Sequence, residues 1–385
     1  MSAVARFPDR PDRPVGWFVH HQGRGHAERA AALIRALPAS RPVTVFCARP
    51  DILRDLPRRV AVRPIPSLFE RRADAADLDA HAAPDTVHCA PVGWPQITEA
   101  MGAMATWWAE ARPALMVVDV SAEVAQMARL CSVPHVHVLQ HGDRSDAGHR
   151  AAYDGALGLL APCAAAMAQP EWAAWGDRVH HAGGLGLAAP MPARAEARAR
   201  LGVAPEEELI LVVSGGGGDG FAAAPLGVGA RARPGARWVT IGQVRRDWHA
   251  TEPANLAHMG WVEDADDWIA AADLVVASTG NTTVQQVMAA GVPYLAVPEW
   301  RYFDEQRRKA RALHDAGLAH AVPALPASAD AWRAALAAAR AAHDPGAQRA
   351  CVDPDAARTA ADWIEGLARR AGAAVLPTPL PLAGE

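Results

Sequence analysis

Three turns in this sequence carry residue types whose order could do chemistry. Ser278-Thr279-Gly280-Asn281-Thr282-Thr283 sets hydroxyls around a glycine between the apolar strand Leu274–Ala277 and a helical run from Thr283 to Ala290. Backbone N–H groups at the start of a helix lie at the positive end of its dipole, an arrangement that binds phosphate. The plainer alternative is an ordinary Ser/Thr helix cap. Gly23-Arg24-Gly25-His26 follows the short strand Val15–Val19 and enters an alanine-rich helix to about Leu37. A histidine in such a turn can take up and pass on a proton. Ser214-Gly215-Gly216-Gly217 follows the strand Leu209–Val213; without side chains its backbone can approach a diphosphate or a sugar closely.

The elements around these turns repeat a grammar. Strands Val15–Val19, Val43–Cys47, Val60–Ile65, Pro113–Asp119 and Val136–Leu139 alternate with helices, which implies a parallel α/β sheet. In such a sheet the carboxyl ends of the strands face the ligand crevice, so Asp119, Glu123, His141 and Asp143 fall near a cleft. None of them has the compact spacing of a metal site. The proline-rich run Ala188–Pro192 reads as a linker, and strands at Leu209–Val213, Trp238–Ile241, Leu256–Met259, Leu274–Ala277 and Tyr294–Val297 then restart the pattern. The expectation is two Rossmann-like domains, 1–188 and 189–371, the last helix of the second returning to the first, and a disordered tail over 372–385. The long excursion from Leu68 to Gly93 has the character of a substrate-selecting loop.

Composition narrows the classes of function. With 38 basic and 42 acidic residues the net charge is −4, which offers no field for nucleic acid. Five scattered cysteines form no zinc or disulfide pattern and suit a reducing cytoplasm. No apolar run is long enough for a convincing membrane span, so a lipid-linked substrate would be met by peripheral contact at the membrane surface.

Downstream of Ser278 the order continues as Val284-Gln285-Gln286, Ala290-Gly291-Val292-Pro293, Val297-Pro298 and Asp304-Glu305-Gln306. This run resembles the donor-binding signature of nucleotide-sugar glycosyltransferases with two facing Rossmann-like domains, the GT-B fold, in particular the family of the peptidoglycan lipid-intermediate N-acetylglucosaminyltransferase. The resemblance implies a nucleoside diphosphate sugar, a uridine one, as co-substrate, a hydroxyl acceptor, inversion, and no required metal or other cofactor. It puts the diphosphate at Ser278 to Thr283 and the donor sugar at Glu305 and Gln306, or at Asp304 if the register slips by one. The base would lie beside Trp261 and Val262. The family's ribose-binding glutamate falls on Gln286, a departure, because an amide is a weaker acceptor than a carboxylate.

On the other side of the cleft, the Gly23 to Arg29 turn resembles the Gly-His turn of the same superfamily. His26 would then be the base that deprotonates the acceptor, oriented by Asp119 or Glu123, while Gly23, Gly25, His141 and Asp143 would meet the acceptor itself. The plainer alternative for His26 is a helix cap or an acceptor contact, and a carboxylate serves as base in some relatives. A nucleotide-sugar hydrolase and a non-catalytic nucleotide-sugar-binding protein are the competing functions. The basic run Arg307-Arg308-Lys309 reads as a solvated face.

Overall fold

The computed structural model describes residues 13–76, 78, 82–215, 218–246 and 251–373. Seven strands form the first sheet: β1 (Val15–Val19), β2 (Val43–Cys47), β3 (Val60–Pro64), β4 (Leu115–Asp119), β5 (His135–Val138), β6 (Gly158–Ala161) and β7 (Val179–His181). Their order is β3-β2-β1-β4-β5-β6-β7, and every pairing is parallel. Helices α1 (Arg24–Ala36), α2 (Pro95–Ala111), α3 (Ala122–Leu130) and α4 (Ala147–Gly155) cover it. β1, β2, β4, β5 and β6 are buried along their whole length, which is why they read as continuous apolar runs rather than alternating ones.

The second sheet repeats that plan. β8 (Leu209–Ser214), β10 (Arg237–Gly242), β12 (Leu256–Gly260), β13 (Leu274–Ala277), β14 (Tyr294–Ala296) and β15 (His320–Ala321) run parallel in the order β12-β10-β8-β13-β14-β15, and a two-residue pair, β9 (Phe221–Ala222) with β11 (Val244–Arg245), stands apart. Helices α5 (Arg194–Leu201), α6 (Ala223–Ala232), α7 (Ala265–Ala271), α8 (Asn281–Ala290), α9 (Glu305–Asp315), α10 (Ala329–Ala341) and α11 (Pro345–Ala350) accompany it. Counted within each sheet, both place the first strand beside the fourth. The strand order reverses there, and open α/β sheets bind ligands at that point.

The last helix, α12 (Ala356–Ala373), buries Ala360, Ala361 and Ile364 in the core that α1 shares with β1 and β4. Glu365 on α12 accepts two hydrogen bonds from Arg41, at 2.9 and 2.7 Å, in a buried, bidentate pair.

Seven of these elements lie beyond the sequence reading: α4, β6, β7, β9, α6, β11 and β15. The pause expected near His181 to Gly184 begins as an edge strand, and the helix α4 is masked by its two glycines. Over Leu68 to Gly93 the described residues form turns and bends without helix or strand. Residues 374–385, most of the expected tail, lie outside the described residues, as do Gly216 and Gly217.

Candidate functional site

The first wall of the cleft is built at the β1/β4 reversal. Gly23 is the N-cap of α1 with a φ of 103°, a conformation open to glycine and strained for other residues, and it sets His26 in the first turn of the helix. The His26 Nδ1 lies 2.6 Å from Asp119 Oδ2, and the other Asp119 oxygen accepts from Arg29, one helical turn along, at 2.5 Å. An Nδ1–H donated to the carboxylate leaves Nε2 of the neutral ring as a proton acceptor.

Burial alone would raise the Asp119 pKa, but His26 and Arg29 outweigh it and hold the carboxyl well below its usual range. The next residue, Val120, has a φ of 56°. For a β-branched residue that is an outlier, costing about 1–3 kcal/mol, of the kind that clusters where a neighbouring side chain is aimed. His20 lies beside His26, their tilted rings 5.1 Å apart between centroids, and burial together with His26 pushes its pKa down to about 3.

The second wall is built at the β8/β13 reversal. Gly280 is the N-cap of α8 and supplies no side-chain cap, so the first-turn amides are left to an external acceptor. Two features give this end a positive character. Lys309 is only 3% exposed, and its Nζ reaches Asn281 Oδ1 in that first turn at 3.1 Å. It forms no ion pair among the described residues, and burial lowers its pKa. A buried ammonium without a counter-ion is costly unless a ligand brings one.

The two walls meet. A Cβ placed on Gly25 of α1 would come within 3.3 Å of the Thr282 hydroxyl of α8, so the helix starts face each other with His26 beside the junction. Phe303 and Asp304 complete the second wall with φ of 61° and 52°. This strained pair turns the chain into α9, and Phe303 O accepts from the Asp143 amide of the first wall at 2.6 Å.

Several residues expected at the site do other work. Glu123 is not part of the His26 pair: its carboxylate accepts the amides of His88 and Cys89 at 2.9 and 2.5 Å and pins the end of the long excursion. His141 is buried, with Nε2 2.8 Å from Met167 O and its ring against Trp172, and faces the core rather than an acceptor. Asp143 is exposed and lies 3.5 Å from Arg308 across the cleft.

Gln306 spends Oε1 on the amides of Thr279 and Glu299, at 3.3 and 2.8 Å, and its carbonyl accepts the Thr279 hydroxyl at 2.8 Å. Both Gln306 and Thr279 are thus struts between loops. Ser214 and Ser278 are likewise buried, Ser214 Oγ accepting from Phe221 N–H at 3.3 Å. Gly280, Asn281, Thr282, Thr283, Asp304 and Glu305 remain open to the cleft to differing degrees, and Glu305 forms no hydrogen bond or ion pair among the described residues. Trp261 is 68% exposed, Val262 half-buried and Gly215 half-buried.

Gln286 donates from Nε2 to Asp266 Oδ1 at 2.7 Å, so a carboxylate stands beside the amide where the resemblance expected a carboxylate alone. Lys309 was missed because its neighbours Arg307 and Arg308 suggest a solvated run. The 3.6-residue helical period, which turns Lys309 inward with Gln306 and Ala310, was the available signal. Among the described residues no group of three His, Cys, Asp or Glu side chains is placed to hold a metal ion.

Residues 242–331 match the family model of the glycosyltransferase family 28 C-terminal domain. No curated protein matches the chain. Among solved structures, the glycotransferase of kitacinnamycin superposes with a TM-score of 0.62 at 19% identity, covering 92% of this chain and 99% of that one. CalG4, the calicheamicin glycosyltransferase, gives 0.62 at 15% identity over 93% and 99%, and MurG of Acinetobacter baumannii gives 0.58 at 16% over 92% and 99%. At these identities the likeness establishes the GT-B fold. Fold and matched domain together define a glycosyltransferase of the GT-B class. The family 28 match lies within the half built on the second sheet, and MurG is among the solved structures this chain resembles.

Proposed function

We propose that the protein transfers a sugar from a uridine diphosphate donor to an acceptor hydroxyl, with inversion and without a metal. The observation that carries this reading is the meeting of two helix starts: the uncapped N-terminus of α8 with Lys309 on one side, and His26 held by Asp119 on the other. The diphosphate would lie on the α8 amides, with Lys309 supplying the positive charge that a metal supplies elsewhere. His26 Nε2 takes the proton of the acceptor hydroxyl as its oxygen bonds to the anomeric carbon. The bond from that carbon to the diphosphate breaks on the opposite face, and the nucleoside diphosphate leaves with the electron pair.

Glu305 faces the hydroxyls of the transferred sugar. Gln286 with Asp266 holds the ribose, and Trp261 with Val262 flanks the base. Residues 1–188 form the acceptor-side domain and 189–371 the donor-side domain. Five cysteines without a disulfide fit a cytoplasmic setting.

The reading is tested by incubating the protein with uridine diphosphate sugars in the presence of a chelator, with and without a panel of hydroxyl acceptors, and following free sugar, nucleotide and the anomeric configuration of the product. Acceptor-dependent nucleotide release with inverted product is expected. Release of free sugar at a rate no acceptor alters would make the protein a hydrolase. Turnover with guanosine or thymidine donors alone would overturn the uridine assignment.

A further inference from the structure

The first wall carries a second cation that the reaction as proposed does not use. Arg144 follows β5 and lies between the two walls. Its guanidinium stacks 4.6 Å from the centroid of Phe303, in the strained turn of the second wall. Its charge is felt by His20, next to His26, and it feels that of Glu305. Arg144 is therefore within electrostatic reach of both walls and touches the second through Phe303.

Its partners are neutral. One terminal nitrogen donates to Gln140 Oε1 at 2.7 Å and the other lies 3.0 Å from His149 Nε2. The His149 Nδ1 is in turn 2.6 Å from Asp146 Oδ2. Burial and Arg144 bring the His149 pKa down to about 4, so the ring stays neutral and accepts from the arginine. The nearest connected negative charge is thus one imidazole away. No carboxylate lies within ion-pair distance of Arg144 among the described residues, and its Nε is closed off from solvent with no acceptor. Among the described residues two of the five guanidinium donors are bonded and the buried Nε–H is out of a ligand's reach, which leaves one N–H on each terminal nitrogen.

Two anchoring bonds and a stacked ring fix the guanidinium plane. A rigid, planar fork with free donors suits two oxygens of one anionic group. The donor diphosphate already has the α8 amides and Lys309, whereas Arg144 projects from the acceptor-side sheet.

We infer that Arg144 recognises a carboxylate or phosphate carried by the acceptor, close to the hydroxyl that receives the sugar. The protein's acceptors are then hydroxylated acids or phosphate esters rather than neutral alcohols. The inference rests on the transferase reading, and its test separates the two. Wild-type protein is first titrated with uridine diphosphate; absence of binding would count against the donor site and the transferase reading.

With uridine diphosphate saturating, binding of 4-hydroxybenzoate is compared with that of 4-hydroxybenzyl alcohol, and glucose 6-phosphate with glucose, by calorimetry. The anionic member of at least one pair should bind about tenfold more tightly. Arg144→Gln should abolish that preference, Arg144→Lys should keep part of it, and both should bind uridine diphosphate within about twofold of wild type, which also reports a folded site. Equal binding within both pairs, or a preference that survives Arg144→Gln, overturns the inference. A large loss of uridine diphosphate affinity in Arg144→Gln assigns the residue to the donor and overturns it too. So does an Arg144-dependent preference for uridine diphosphate glucuronate over uridine diphosphate glucose, which puts the anion on the donor sugar.

Discussion

The two sheets share one topology, yet their reversal points are equipped in opposite ways. In the second, the uncapped start of α8 and the buried Lys309 form a positive site assembled within about thirty residues of chain. In the first, the same place holds a pair, His26 with Asp119, joined across 93 positions and fixed by Arg29 and the strained Val120. One wall can hold a charged leaving group and the other can accept a proton. One topology occurs twice, and in the proposed transfer the side chains at the two reversal points would divide the reaction between them.

The largest expected effect breaks the comparison on the first side only. His26→Ala should reduce transfer by about 10²–10⁴-fold, the range of a positioned general base, while calorimetry finds uridine diphosphate binding unchanged. Asp119→Asn should lose a smaller part of kcat, since it leaves the ring but removes the carboxylate that selects its tautomer. It also carries a stability signature. The Asp119 pKa is depressed in the folded protein, so its contribution is fully present above the ordinary carboxylate pKa and is lost as pH falls from there through the lowered folded value. Acid unfolding of Asp119→Asn should therefore be less steep than that of wild type. Full activity in His26→Ala would remove the first wall from the chemistry.

Lys309 breaks the second side. Lys309→Met keeps the bulk and removes the charge, so uridine diphosphate should bind about tenfold more weakly, the equivalent of one strong charge-assisted bond. The free protein should melt at the same temperature or higher, because an unpaired buried ammonium is relieved. Since burial lowers the Lys309 pKa, wild-type affinity should fall as pH rises through that lowered value. Over the same range the free protein gains stability, because its unfolded form there binds more protons than the native one. Calorimetry and thermal melts between pH 7 and pH 10 read both slopes (about the span below an ordinary lysine).

The different construction of the walls decides what the sequence revealed. The donor wall is local: Ser278 to Gln306 keeps its order along the chain, and both its place between β13 and α8 and its kinship could be read directly. The strands of both sheets were legible for a related reason, being buried apolar runs bounded by glycine and proline. At the first wall the glycine turn and His26 were legible, but the choice between Asp119 and Glu123 was not. Asp119 ends β4 and Glu123 lies in the first turn of α3, and across the turn at Val120 the first points at the ring while the second holds the amides of His88 and Cys89. His141, Gln306 and Thr279 misled because a polar side chain at a strand end can face a ligand or brace a loop. That outcome depends on partners such as Met167 O, far away in sequence.

Gln286 offers the finest test of the donor wall, and the expected effect is the smallest. A glutamate at this position, as in the family the chain resembles, is by itself a stronger acceptor for a ribose hydroxyl than an amide. Here, however, the amide nitrogen lies 2.7 Å from Asp266 Oδ1, and Gln286→Glu would set two carboxylates at that distance. Like charges so close raise one pKa, and the pair must share a proton or separate. Uridine diphosphate affinity should therefore fall a few-fold at pH 8 and recover towards pH 5, and Asp266→Asn in the same chain should restore it at pH 8. If Gln286→Glu instead tightens binding at pH 8, the ribose is held by residue 286 alone, and the Asp266 pairing belongs to the packing of α7 against α8 rather than to the nucleotide site.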